Sequence, residues 1–432
     1  MILIKPIDKA ILIYFRFITG ILMSQELINK IIIGKFEAYS PSKVHFTYTF
    51  FDWIRPWTHE RMVLHYGITI LAGYAMALGW KYRFSSIVLF LGWTSLFLMD
   101  QTDFINHTYL YSLVSFWMIF LPLKNDHQKT APAWTLYLIL FHMSLAYFFG
   151  GIAKINYDWL QGTPMDIFLL QRKNYPLGFI YSQSWAPIFF SYGGILFDLL
   201  IVPLMLIPQT RKFGLFISII FHFSNVLMFG LATFPWFSLL LTTMFFDPSW
   251  PRKIPFFKNY LGETPQKEEA HEFSPVLAGL ISLYVLIQLA LPFRHFLYPG
   301  NASWTEEGHM FAWRMMLRHK QGRVQFYVKT NQKLFMVDKQ KFINPRKLND
   351  LMGNPDMILQ FAHFLRDYYK KELGLDVEVY ASSFVSLNGR KHQQLIKPGT
   401  NLALKERRLG HYKWIMPLKT ERPAFLRAPL KI

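Results

Sequence analysis

The chain has 432 residues and a formal net charge of +19; 18% of it is aromatic and 17% charged, where ordinary soluble domains carry about 25% charged residues. With a mean hydropathy of +0.19, this composition excludes a plain soluble globule. Cysteine is absent, which excludes disulfides, thiolate metal sites, iron–sulfur clusters and a cysteine nucleophile.

Apolar runs of about 17–25 residues are long enough to cross a bilayer. Nine such runs follow one another, at about 10–29, 62–79, 84–100, 108–122, 132–152, 187–208, 213–232, 235–246 and 275–297. The fourth and eighth are short, so each is either a span or a re-entrant segment. The first run leads directly into further spans, so no cleavable signal peptide is expected. Neither an internal repeat nor a low-complexity tract is evident.

Charge density changes near residue 300. Residues 1–300 hold 22 basic and 16 acidic residues, whereas 301–432 hold 24 basic and 11 acidic, a local net charge of +13. The break predicts a polytopic α-helical membrane domain with about eight or nine transmembrane helices over 1–299. A water-soluble, mixed α/β, strand-rich domain is expected over 300–432.

Basic residues in short loops set orientation. With the N-terminus inside, the inner segments hold Lys5, Lys9, Lys81, Arg83, Lys124, Lys129, Arg211, Lys212, Arg252, Lys253, Lys258 and Lys267, 12 in about 55 residues. The outer segments hold Lys30, Lys35, Lys43, Arg55, Arg61, Lys154, Arg172 and Lys173, 8 in about 76. The bias predicts a cytoplasmic N-terminus. An odd number of spans then puts the basic tail outside the cytoplasm, which its length permits, since long domains translocate largely regardless of charge.

Within the tail, Arg323–Lys329 alternates like a strand. Pro355–Lys371 has helical spacing, with Met357, Leu359, Phe361, Phe364, Leu365 and Tyr368 roughly on one side. Asp376–Leu387 reads as a strand, and Asn388-Gly389 is a hairpin signal leading into another.

Four segments carry candidate chemistry. In Asp100–His107, Asn106 and His107 offer donors and acceptors at the outer mouth between spans three and four; the bland alternative is a helix cap beside an interfacial histidine. In Tyr147–Trp159, Lys154 follows an aromatic, Gly-rich span, where loss of solvation favours the neutral amine. Alternatively it snorkels to the headgroups, with Trp159 in the aromatic belt. His222 and Asn225, three residues apart, share one face of span seven at membrane depth, where polar groups mark function or interhelical hydrogen bonds. His142 in span five has the same two readings. In Asn301–Met316, Trp304, Met315 and Met316 suit a pocket for a flat lipophilic ring, or merely seal the soluble domain onto the bundle. Nothing matches a metal site, a Walker loop or a Ser–His–Asp order. The basic tail could attract nucleic acid, but on an extracytoplasmic face acidic polypeptide or anionic lipid is the better partner.

Taken in series, the segments DQTDFINHTYLY (100–111), YFFGGIAKINYDWLQG (147–162), FFDPSWPRKI (245–254), NASWTEEGHMFAWRMM (301–316) and VSLNGRKHQQLIKPGTNLA (385–403) resemble the vitamin K-dependent γ-glutamyl carboxylase family over most of residues 10–420. The resemblance implies that Lys154 is the catalytic base and that Asn106 and His107 flank the reacting quinone. It places His222 in the quinone pocket, with Trp304, Met315 and Met316 as quinone contacts, and His309 where a pocket tyrosine stands in that family; the helix face shared with His222 adds Asn225 to the expected cofactor-binding residues. Ala153 replaces a second lysine found in the family's animal members, their inter-domain disulfide has no counterpart here, and the tail lacks their longer extension.

The chemistry so implied needs reduced vitamin K, O2 and CO2 and no metal. A neutral lysine deprotonates the hydroquinone, whose reaction with O2 yields a base strong enough to take a glutamate γ-hydrogen. CO2 captures the carbanion, and vitamin K 2,3-epoxide leaves. Exclusion of water is essential to such a base, and only the neutral amine can start the sequence. The expected partners are an acidic, glutamate-containing polypeptide and the lipid bilayer, with no nucleic acid. The alternatives are a quinol epoxidase without carboxylation and a non-enzymatic transporter or scaffold. An intramembrane carboxylate–cation relay would favour transport, and Asp198 is the clearest acid deep in a span. The absence of cysteine and the compact tail favour a bacterial inner membrane over that of the endoplasmic reticulum.

Overall fold

The computed structural model describes residues 2–34, 44–123, 129–261, 265 and 274–419; Lys35, Lys43, Lys124 and Lys267 of the charge count lie outside these. The first half is helical. A short strand β1 (Pro6–Asp8) pairs antiparallel with β2 (Thr130–Pro132) at one end of the bundle. The helices are α1 (Ala10–Ile32), α2 (His59–Leu78), α3 (Tyr82–Leu98), α4 (Asn106–Met118), α5 (Trp134–Lys154), the short α6 (Tyr157–Leu160), α7 (Met165–Gln171) and α8 (Gly178–Tyr181), α9 (Ala186–Leu206), α10 (Arg211–Phe229), α11 (Phe234–Thr243), α12 (Pro255–Leu261) and α13 (Pro275–Ala290).

Every expected span coincides with a helix, but lengths differ. Six segments, α1, α2, α5, α9, α10 and Pro275–Leu297, are long and apolar enough to cross a membrane. α3 has 17 residues, α4 has 13 and α11 has 10; at about 1.5 Å per residue the last two reach only about 20 Å and about 15 Å. Large apolar side chains such as Leu71, Phe223, Leu280 and Leu286 point outward, as lipid contact requires of helices whose backbone groups are satisfied internally.

The bundle has two distinct ends. At one, Asp8 and Arg252 form an ion pair of 2.7 Å beside β1, and the hydroxyl of Tyr82 donates to the carbonyl of Met118. At the other stand the start of α4, the end of α5 and the C-terminal domain. After the four-residue α14 (Ala302–Thr305), that domain builds an antiparallel sheet in the order β4-β3-β5-β6 from β3 (Lys320–Lys329), β4 (Leu334–Met336), β5 (Glu378–Leu387) and β6 (Gln393–Gln394). β3 and β5 pair along their length, Lys320 opposite Leu387 and Lys329 opposite Glu378.

One face of the sheet is covered by α15 (Pro345–Gly353) and α16 (Pro355–Leu373). Val324, Phe326 and Val328 alternate inward, and Phe326 meets Phe361 edge-on at 4.7 Å. Asn354 caps α16 by accepting from the backbone N–H groups of Asp356 and Met357, Pro355 follows it, and Gly374 closes the helix in the left-handed region. The expected tail helix therefore runs two residues further, to Leu373, and the second strand starts two later, at Glu378. β4 and α15 were not anticipated.

Ion pairs dock this domain on the bundle. Lys347 reaches Asp100 at 2.7 Å, Arg407 reaches Asp52 at 2.7 Å, and Arg390 reaches Asp158 at 2.6 Å. All three carboxylates lie in segments on the Lys154 end of the helices.

Candidate active site

The YFFGGIAK segment forms the last two turns of α5. Tyr147, Gly150 and Lys154 recur at spacings of three and four and so share one face. Gly150 is required there: a Cβ on it would lie 2.6 Å from Met315 Cε and 3.2 Å from Asp198 Oδ2. Gly151 likewise lets α9 approach, because its Cβ would lie 2.7 Å from Leu199 Cδ2.

That close approach brings Asp198 to the lysine. Lys154 Nζ donates to Asp198 Oδ2 at 2.5 Å, with the Gly150 carbonyl at 3.4 Å and the Trp159 ring centroid at 5.4 Å. Lys154 is 6% exposed and Asp198 4%. Lys154 thus does not snorkel, and Trp159, 1% exposed and donating from Nε1 to the Ser191 carbonyl at 2.8 Å, is no part of an aromatic belt. Asn156 holds α6 in place, its Oδ1 accepting from Trp159 N.

Both residues of the pair line an apolar cavity of about 440 Å³ between α5, α9 and α10. Phe197 and Phe221 stack at 3.7 Å within it. His222 and Asn225 both face it, as their spacing predicted. The Tyr147 hydroxyl lies 2.8 Å from His222 Nε2, while His222 Nδ1 has no partner among the described residues. Met315 and Met316 close one side.

His107 and Asn106 stand one layer away. The His107 ring stacks on Phe234, a cavity residue, at 5.1 Å, and its Nε2 lies 3.8 Å from Glu26 Oε1 of α1. Glu26 also accepts from the Thr233 hydroxyl, which receives a 3.3 Å bond from Tyr111. Asn106 Oδ1 is buried without a partner among the described residues.

Trp304 and His309 are not brought to this cavity. Trp304 belongs to the core of the C-terminal domain and donates to the Met416 carbonyl at 2.7 Å. His309 bonds with Arg318, and burial together with the Arg318 cation holds it well below the usual histidine range. His142 bonds Tyr284 of α13 at 2.5 Å, which ties two helices together. Sequence reasoning missed Tyr147 and Glu26 and gave Asp198 no partner; an acid inside an apolar run was the one available signal.

A second cavity, of about 550 Å³, shares Met316 with the first and is lined by Gln101, Glu306, Arg318, His319 and Lys320 among others. There Glu306 pairs with Lys320 at 2.6 Å and Arg318 at 2.8 Å, and burial pushes Lys320 down to about 8 despite that carboxylate.

Chemically, the first cavity places an amine, a carboxylate and an imidazole against an apolar, largely aromatic lining. One proton between Lys154 and Asp198 leaves the pair neutral whichever atom carries it; with the proton on Asp198, the amine lone pair is open. Comparison with known families matches residues 4–250 to the HTTM domain and residues 273–421 to the vitamin K-dependent gamma-carboxylase, lumenal domain. No solved structure matches the chain.

Proposed function

The chain belongs to the vitamin K-dependent γ-glutamyl carboxylase family, and from that premise we propose that it carboxylates glutamate residues of an acidic polypeptide while converting reduced vitamin K to its 2,3-epoxide with O2 and CO2. The observation that carries this reading is the buried Lys154–Asp198 pair on the wall of the 440 Å³ apolar cavity. Cavities of that size and lining suit lipophilic rings. The unpartnered His222 Nδ1 offers a bond to a ligand hydroxyl, and Met315 and Met316 give soft packing.

Bound reduced vitamin K would supply, with O2, the strong base that no side chain can be. Lys154 takes the proton of the ligand hydroxyl while Asp198 holds the pair's own. Phe197, Phe221 and Phe234 keep water from the chamber. His107, backed by Glu26, orients Phe234 and the mouth of the site. Carboxylation, rather than epoxidation alone, is favoured by the second cavity beyond Met316, where Arg318 and His319 offer donors to a carboxylate. Transport would need a continuous polar path between Lys154–Asp198 and His107–Glu26, and the Phe234 ring stacked on His107 supports the enzymatic reading instead.

The chain is an integral membrane protein. Loop charges support a membrane part ending at residue 299 with a cytoplasmic N-terminus, and a soluble part over 300–432 outside the cytoplasm; a bacterial inner membrane fits best.

The test uses the full chain in lipid nanodiscs with reduced vitamin K, O2, isotopically labelled CO2 and a glutamate-rich peptide. Equal amounts of epoxide and labelled peptide are expected. Epoxide without labelled peptide would leave only the epoxidase reading, and neither product would overturn both.

A further inference from the structure

One turn of the C-terminal domain bonds residues that adjoin two walls of the cavity, and we propose that Asn388 and Arg390 are positioning residues for the Lys154 site, an inference that rests on the function proposed above. Arg390 donates from Nη2 to Asp158 Oδ1 at 2.6 Å and from Nη1 to Asp158 Oδ2 at 2.7 Å. Asn388 Nδ2 donates to the same Oδ2 at 2.8 Å and to the Leu317 carbonyl at 3.2 Å. Asn388 Oδ1 accepts from His319 N at 2.7 Å, and Asn388 N donates to the His319 carbonyl at 2.9 Å. The three side chains are buried, Asp158 at 7%, Asn388 at 1% and Arg390 at 5% exposure.

Both ends of this network sit next to cavity residues. Asp158 precedes Trp159, whose ring faces Lys154 Nζ. Leu317 follows Met315 and Met316 directly. The turn therefore holds the amine wall and the thioether wall in one register. Its backbone is tight enough to do so, because Asn388 and Gly389 have φ of 52° and 79° and Arg390 N donates across them to the Leu387 carbonyl at 3.1 Å. A planar guanidinium forked onto a carboxylate fixes orientation as well as distance, which a single bond to an ammonium does not. By contrast, the more exposed Arg407–Asp52 pair also joins the two parts of the chain, but neither residue lines or adjoins the cavity.

The test compares Asp158→Asn, Arg390→Gln, Arg390→Lys and the double variant Asp158→Asn/Arg390→Gln, with Arg407→Gln as comparator, all as full chains in nanodiscs. Three quantities are read: kcat and KM of quinol epoxidation, phylloquinone binding by tryptophan quenching, and amide exchange of residues 155–162 and 313–319. Displacement of reacting groups by about 1 Å costs up to about a hundredfold in rate, so the single variants should lose about tenfold to a hundredfold in kcat. Phylloquinone affinity should stay within about threefold, because the clamp does not touch the ligand. Both segments should exchange faster together, Arg390→Lys should recover part of the rate, and the double variant should be no worse than either single. A fall in thermal stability with kcat unchanged, additive losses in the double variant, or an equal kcat loss in Arg407→Gln would overturn the proposal. Absence of epoxide from the unmodified chain would instead refute the functional reading, and coupled exchange of the two segments would still decide the clamp.

Discussion

Lys154 and Asp198 meet at 2.5 Å although they stand 44 positions apart, because Gly150 and Gly151 leave room on α5 for the Asp198 and Leu199 side chains of α9. Two opposite charges buried together remain tolerable only while both are present; removing one partner of such a pair costs about 3–5 kcal/mol.

Lys154→Ala should abolish epoxidation, and a small primary amine added to the assay should restore part of it. Because Asp198 is left alone, the melting temperature should fall as well. Lys154→Ala/Asp198→Asn should regain stability without activity. Full epoxidation by a folded Lys154→Ala chain would show that the base lies elsewhere.

His107→Ala and Met315→Ala should fail in different ways. His107 acts through its stack on Phe234 and its approach to Glu26, so its loss should appear in kcat as a misplacement of the site, up to about a hundredfold. Glu26→Gln should produce the same defect and add little to it. Met315 only packs, so truncation should weaken quinol binding by about 1–2 kcal/mol and raise KM. A rise in KM alone for both would make His107 a packing residue.

Side labelling can use the cysteine-free background directly. Tyr175→Cys and Lys391→Cys, both exposed, should react with an impermeant maleimide from one side, and Lys81→Cys, also exposed, only from the other. Reaction of Tyr175→Cys and Lys391→Cys from opposite sides would refute the shared face.

Acid should loosen the docking of the C-terminal domain at Asp100. Burial alone would raise that carboxyl, but His45 and the Lys347 ammonium outweigh it and hold it below its usual 3.8. A depressed folded-state value means that stability from this group is fully present above 3.8 and is lost as pH falls further. In Lys347→Met the carboxylate keeps His45 and the Thr102 N–H but loses one of the groups that hold it down, so the fall in melting temperature on acidification should be smaller than in the unmodified chain. A Lys347→Met profile parallel to that of the unmodified chain would exclude the contact as a stabilising one.

The spans were legible because lipid permits little else than long apolar helices, and even α4 and α11 kept their apolar signal while shortening. The strand–helix–strand order of the tail was legible from periodicity and from the Asn388-Gly389 signal. Residues 301–316 were harder. Their aromatics and methionines look alike in sequence, yet Glu306, Phe311, Trp313 and Met316 all have φ between 54° and 65°, and each reversal sends neighbours to different places. Trp304 enters the soluble core, Phe311 packs on Phe104 and Tyr109 of the bundle, and only Met315 and Met316 reach the cavity. The pairs Lys154–Asp198, His107–Glu26 and Asp158–Arg390 were hidden for a different reason: no local periodicity records which helix or turn will face which.

Met316 borders both cavities with one unbranched side chain, 39% exposed and held at φ 59°. Oxidation of its sulfur would turn a flexible apolar group into a polar, chiral sulfoxide, and so add a polar group to the apolar chamber from the side of its neighbour. The reaction proposed above would consume O2 beside this sulfur. Misfired turnovers would be written as sulfoxide on residue 316, readable by peptide mapping, and a methionine sulfoxide reductase would reset the site.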